Sequence, residues 1–187
     1  MLQPDSDLFL HLNAGADPSA AVVWLAIFAA KLVVLIIPLY IAALWITGRQ
    51  QHRLTAMMLV LGLVIALTLS HVIGLIAFRP RPFMIGLGHA LIDHRPNASF
   101  PSNHGLIFAV SAAVLFLRGY RAAWLVAALG ILVAWSRIYL GVHYPLDMIG
   151  AAIIAVPVAL ASRLLIDRYG MAILTAQEQL SRRIMQR

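Results

Sequence analysis

Apolar residues fill this chain in five long stretches, and polar residues gather in the gaps between them. The stretches cover residues 20–46, 54–78, 102–117, 122–140 and 145–166. A helix rises about 1.5 Å per residue, so about 20 apolar residues cross a hydrocarbon layer about 30 Å thick. The pattern predicts an all-α, integral membrane helical bundle of about five transmembrane helices. The gaps are a basic loop at 47–53, a long proline-containing loop at 79–101, a tight basic turn at 118–121 and a turn at 141–144. Ser102 is placed to cap the third helix, and Pro145 suits the first turn of the fifth. Pro38 and Pro157 fall inside spans and predict kinks. Residues 1–19, polar around Leu8-Phe9-Leu10, predict a short interfacial helix, with a frayed terminus as the alternative. Residues 167–187 predict a basic cytoplasmic tail, helical and lying on the membrane surface. The chain thus divides into one transmembrane domain, 20–166, and two flanks, with no internal repeat.

Composition sharpens this picture. Of 187 residues, 62% are hydrophobic and only 11% charged, which excludes an ordinary soluble domain. The lack of cysteine excludes disulfides and thiolate metal sites. The net charge of +7 comes from thirteen arginines and one lysine against seven acids. In a soluble protein that excess would suggest nucleic acid. Here the arginines flank apolar runs, which points to membrane topology and anionic headgroups, and no nucleic-acid partner is expected. Three aspartates and no basic residue in the first twenty positions speak against a cleaved secretory signal.

Five spans put the two ends on opposite sides. Arg49, Arg53, Arg118, Arg121, Arg163, Arg168, Arg182, Arg183 and Arg187 share one side, while Arg79, Arg81, Arg95 and Arg137 share the other. Cytoplasmic segments carry the arginine excess. The N-terminus is therefore expected outside and the C-terminus inside. The four outer arginines run against the rule and sit in or beside polar clusters, so they are expected to bind an anion.

Two such clusters stand at helix ends on that outer side, residues 99–105 and 136–147. Charges beside membrane-grade sequence are costly and tend to be functional. His143 and Asp147 are four apart, on nearly one helical face, so the carboxylate can hold one ring nitrogen and leave the other free to attack or to take a proton. His104 opens the third helix, beside Ser102, Asn103 and Gly105. A helix start offers free N–H groups and the positive end of a dipole, and glycine lets an anion approach closely. Arg81 and Arg137 supply planar forks for phosphate oxygens. Together these residues form a metal-free phosphoryl-transfer set. Zinc is disfavoured because clustered arginines repel a dication and no HExxH spacing occurs. The bland alternative makes each of these an interfacial residue; His89 and His94 read as solvated, His71 as bonded to a neighbouring helix, and Asp93, Arg95 and Asn97 as loop polarity.

The same residues resemble the motifs of the type-2 phosphatidic acid phosphatase (PAP2) superfamily, K-x6-R-P, P-S-G-H and S-R-x5-H-x3-D. Ser136, Arg137, His143 and Asp147 match the third in full. The second reads Pro101-Ser102-Asn103-His104, with Asn103 in place of glycine. The first keeps Arg81 and Pro82 but has Gly74 where lysine is usual. The segment from Arg79 to Gly105 is similar to the bacitracin-resistance branch of undecaprenyl diphosphatases, whose members also tend to lack that lysine.

The resemblance implies that His143 attacks phosphorus to give a phosphohistidine, that Asp147 orients it, and that His104 protonates the leaving oxygen. It implies that Arg81, Ser102, Arg137 and the backbone from Asn103 to Gly105 hold the phosphoryl group. Arg79 becomes the first choice to replace the missing lysine, ahead of Lys31. No cofactor or metal is implied. The expected substrate is a lipid diphosphate, held among membrane lipids at the outer face of a bacterial plasma membrane. The alternatives are another lipid phosphatase or a lipid A phosphotransferase on the same scaffold, or a protein that only binds or transports lipid phosphate.

Overall fold

The apolar stretches fold as helices, and the breaks fall where side chains disturb a regular backbone. The computed structural model describes residues 3–185, with side chains described through residue 179. Seven α-helices follow in order: α1, Gln3–Leu12; α2, Ala20–Lys31; α3, Ile36–Ile46; α4, Gln50–Ile76; α5, Asn103–Leu117; α6, Ala122–Tyr139; and α7, Pro145–Met185. No strand occurs among the described residues. Four segments are long and apolar enough to cross a membrane: Ala20–Ile46, Gln50–Ile76, Ala122–Tyr139 and Pro145–Gln179. The remaining predicted span, α5, is shorter at 15 residues.

Two boundaries differ from the sequence expectation. The first span is interrupted by a 3₁₀ turn at Val33–Leu35. Pro38 has no N–H to donate, and its ring crowds the carbonyl four residues back, at Val34, so the α ladder breaks one turn before the proline. No helix break separates the last predicted span, expected to end near residue 166, from the basic tail beyond it. Helix α7 runs unbroken for 41 residues, through Pro157. At 1.5 Å per residue it is about 60 Å long, twice a hydrocarbon layer. Good helix formers such as Arg168, Ala172 and Gln177 fill the junction, and no proline stops it. Arg182 and Arg183, as side chains, and Arg187 altogether lie outside the described residues.

Short as it is, α5 occupies the centre. It packs against α4, α6 and α7 and buries Leu106, Phe108, Val110, Val114 and Leu115. Its start is drawn tightly onto α7. A Cβ at Gly105 would stand 3.0 Å from the Ala151 Cβ and 3.2 Å from the Met148 sulfur, so only glycine fits that approach without displacement. The Ser102 N–H also donates to the Asp147 carbonyl at 3.2 Å. Gly141, with φ +80°, turns the chain from α6 back into α7. The long loop docks on this end of the bundle through Leu91 N–H to the Leu140 carbonyl, 3.1 Å.

The N-terminal segment is a folded part of that same end. Phe9 is fully buried, its ring 5.6 Å from that of Tyr144, and the Ala14 N–H donates to the Tyr139 carbonyl at 3.0 Å. At the opposite end, arginines of the predicted cytoplasmic side pair with acids, Arg118 with Asp167 at 2.8 Å and Arg53 with Glu178 at 3.4 Å.

Candidate active site

The entry into α7 sets the central pair. His143 precedes α7 and Asp147 lies in its first turn, and the i, i+4 spacing brings Nδ1 of the imidazole to 3.1 Å from Oδ2 of the carboxylate. Both side chains are buried. Three more donors converge on Asp147. They are the Ser99 hydroxyl, the Tyr144 N–H at 2.9 Å and Arg79 Nη1 at 3.0 Å. An ionised carboxylate only accepts, so His143 presents Nδ1–H to it and carries its lone pair on Nε2. Arg81 Nη1 donates to that Nε2 at 2.9 Å.

The loop holds Arg81 in place. Its Nε donates to the Asn97 carbonyl and side-chain oxygen at 3.2 and 3.0 Å, Nη2 to the Ala98 carbonyl at 3.1 Å, and Nη1 also to the Val142 carbonyl at 2.8 Å. Burial draws its guanidinium down to about 10, against the pull of Asp147, and it remains cationic at neutral pH. Arg137 contrasts with it. The residue is 4% exposed, yet its Nε and Nη2 have no hydrogen-bond partner. Unpaired buried charged donors are costly, and they mark a place where an anion belongs.

His104 is in the first turn of α5, within electrostatic reach of Arg137, His94 and Arg81. The ring of His94 meets that of His143 edge-on at 6.3 Å. Burial outweighs a hydrogen bond to the Arg95 carbonyl and lowers the His94 pKa, with Arg81 and Arg137 adding to the effect. Burial also lowers the His143 imidazole, to about 3. The Arg81 and Arg137 charges act in the same direction, and Asp147 opposes them. The ring is therefore neutral, with a usable lone pair, across the physiological range. Among the described residues no three His, Asp or Glu side chains form a group able to hold a metal ion.

The structure brings His104, His143, Asp147, Arg81 and Arg137 to one end of the bundle and gives the other sequence candidates different surroundings. The Ser102 hydroxyl accepts the Gly105 N–H at 3.3 Å, as a helix cap. Gly105 itself packs against α7. Asn103 turns toward α4, where its Oδ1 accepts from the Ser70 hydroxyl at 2.7 Å. Arg79 sits between two carboxylates, Asp147 and Asp5, with its guanidinium 4.1 Å over the Tyr144 ring. Its charge is thus neutralised from within the protein. Lys31 lies away from this cluster, lining a separate cavity with Ile92 and Asp93.

The sequence reading gave no site role to three contributors. Asp5 of α1 is buried, pairs with Arg79 and accepts the Leu146 N–H at 3.0 Å. Ser99 bonds Asp147, and His94 is half-buried beside His143 rather than solvated. Spacing within α1 carried the one available hint: Asp5 and Phe9 are four apart and share a face.

Comparisons with known proteins agree with this architecture. A sequence-family model described as the PAP2 superfamily matches residues 55–170. A protein of Escherichia coli (strain K12) named putative undecaprenyl-diphosphatase YbjG is 36% identical over 144 residues, 76% of this chain and 73% of that one. Undecaprenyl-diphosphatase BcrC of Bacillus subtilis (strain 168) is 33% identical over 151 residues, 80% and 78% of the two chains. Among solved structures, that of Aquifex aeolicus LpxE superposes with a TM-score of 0.73 at 22% identity, covering 86% of this chain and 95% of that one. The PAP2-type phosphatidylglycerolphosphate phosphatase of Bacillus subtilis gives 0.59 at 18% identity, covering 88% and 84%. These two likenesses show a shared transmembrane fold.

Proposed function

Since the chain belongs to the PAP2 superfamily, we propose that it hydrolyses a polyprenyl diphosphate, undecaprenyl diphosphate foremost, to the monophosphate and inorganic phosphate. The carrying observation is an oriented, neutral His143 within electrostatic reach of a buried Arg137 whose Nε and Nη2 have no hydrogen-bond partner. One is a nucleophile, and the other is half of an anion cradle waiting for its charge. The names of the two sequence relatives supply the substrate class. The arginine excess of the opposite end supports placing the reaction at the outer face of a bacterial plasma membrane.

The chemistry follows from the atoms present. The terminal phosphoryl group enters against Arg137 and the N–H groups that open α5. Its oxygens draw Arg81 Nη1 away from His143, which frees the Nε2 lone pair. Nε2 forms a bond to phosphorus as the bond to the bridging oxygen breaks. His104 gives that oxygen a proton, and prenyl monophosphate leaves. Asp147 balances the positive charge of the phosphorylated imidazole through Nδ1–H, and Arg79 and Asp5 hold Asp147 in position behind it. A water deprotonated by His104 then cleaves the phosphorus–nitrogen bond. The protein's own cations supply the electrostatic stabilisation, so the step is written without a metal.

Phosphate release by purified protein, in EDTA, across undecaprenyl diphosphate, phosphatidic acid and phosphatidylglycerophosphate tests this. The highest kcat/KM is expected for the diphosphate. Faster turnover of a glycerolipid phosphate, or strict dependence on an added dication, contradicts it.

The protonation state has its own check. Because the folded His143 pKa is depressed from 6.5 to about 3, the ring stays neutral in the folded protein as pH falls through 6.5. The unfolded chain binds that proton and the folded one does not, so stability is lost progressively from about pH 6.5 toward 3. Nitrogen-15 NMR of the unliganded protein is expected to show a neutral His143 ring at pH 5. A titration midpoint near 6.5 would contradict the buried, arginine-flanked setting.

A further inference from the structure

A cleft of about 250 Å³ lies between the end of α4 and the start of α5, and no step above uses it. Ser70, His71 and Gly74 line it from α4, Arg81 and Asn97 from the loop, and Asn103 from α5. Its size falls below the roughly 300–1,000 Å³ of pockets that take drug-sized ligands, and suits a small group rather than a lipid chain. No carboxylate lines it. Of its polar members, His71, Asn97 and Asn103 can turn donors inward. Ser70 gives its proton to Asn103 Oδ1 at 2.7 Å, which fixes the side-chain amide and leaves its NH2 as the donor end. His71 adds a ring N–H. Arg81 belongs to the cleft and to the reacting centre at once, since the same guanidinium bonds His143 Nε2 at 2.9 Å. A donor-lined, acid-free cleft joined to the nucleophile by a shared arginine calls for a second anion.

Displacement at phosphorus requires the leaving oxygen to lie opposite His143, on the side of the acid that protonates it. In a diphosphate that oxygen carries the second phosphate. His104 has been assigned the proton, and its chain neighbour Asn103 opens onto the cleft. We infer that this cleft is the subsite for the second phosphate of a lipid diphosphate, the one the product keeps, with His71 and Asn103 as the donors that select diphosphate over monophosphate. This rests on the diphosphatase activity proposed above. The narrow wall at Gly74, where a Cβ would stand 3.0 Å from the Ala98 Cβ, keeps the cleft the size of one such group.

Steady-state hydrolysis of farnesyl diphosphate and farnesyl monophosphate, which share one chain, provides the test on the full-length protein in detergent. His71 and Asn103 are both exposed, so their alanine variants are not expected to unfold the bundle. His71→Ala and Asn103→Ala are each expected to lower the ratio of kcat/KM for diphosphate over monophosphate about tenfold, through KM for the diphosphate, as loss of one hydrogen bond to a charged group would do. An unchanged ratio, whether both substrates slow together or neither does, overturns the subsite while leaving the diphosphatase reading in place. Wild-type protein that turns over only the monophosphate removes that reading itself, and the subsite with it.

Discussion

His143→Ala is expected to lower turnover on the order of 10,000-fold or more, since the proposed mechanism gives its Nε2 the attack on phosphorus. The loss is expected in kcat, because the proposed headgroup ligands, Arg137, Arg81 and the start of α5, are unchanged. Folding is expected to survive. Arg81 keeps its bonds to the Asn97, Ala98 and Val142 carbonyls, and Asp147 keeps Ser99, Tyr144 and Arg79. Phosphate release, measured beside the size-exclusion profile in detergent, checks both points. A well-folded variant within tenfold of wild type would mean that another group attacks phosphorus.

Asp147→Asn is the second large effect, about 1,000- to 10,000-fold in kcat by analogy with other oriented histidines. An amide at this position presents NH2 where Nδ1–H now donates, which favours the tautomer with its lone pair on the wrong nitrogen. It also removes the negative charge that balances phosphorylated imidazole, and leaves Arg79 with Asp5 alone. Burial of the site makes these losses larger than they would be in water. The kcat and KM of Asp147→Asn separate the possibilities. A fall in kcat at nearly constant KM fits a positioning role. A rise in KM with kcat retained would instead place Asp147 in substrate binding.

What could be read from the sequence, and what could not, divides by range. Local rules carried the helices, because apolar length, the Ser102 cap and Pro145 act over a few residues. The His143/Asp147 contact spans four residues where the chain enters α7 and needed no knowledge of the wider fold. The meeting of α5 and α7 is long-range, and it was anticipated only because two polar clusters shared one predicted side of the membrane. Contacts between distant segments left no such trace. Asp5 reaches the Leu146 N–H across 141 residues, and the face it shares with Phe9 in α1 does not name that partner. For the same reason Arg79 looked like an unclaimed cation. The sequence could not show the two carboxylates, Asp5 and Asp147, that pair with it in the structure. Proline placement was visible, yet its effect was not uniform. Pro38 breaks a helix while Pro157 is absorbed, because the surroundings of each decide whether the lost hydrogen bond matters. Gly74 and Asn103, the two departures from the family motifs, stood 29 positions apart in the sequence and line one cleft in the fold.

The covalent step is the centre of this account, and rapid alkaline quench of turnover with a substrate labelled in its terminal phosphate tests it most directly. Phosphoimidazole bonds survive alkali, so peptide mapping is expected to find the label on His143 and to lose it in His143→Ala. Label on His104, or turnover at full rate with no labelled histidine at any quench time, would contradict it.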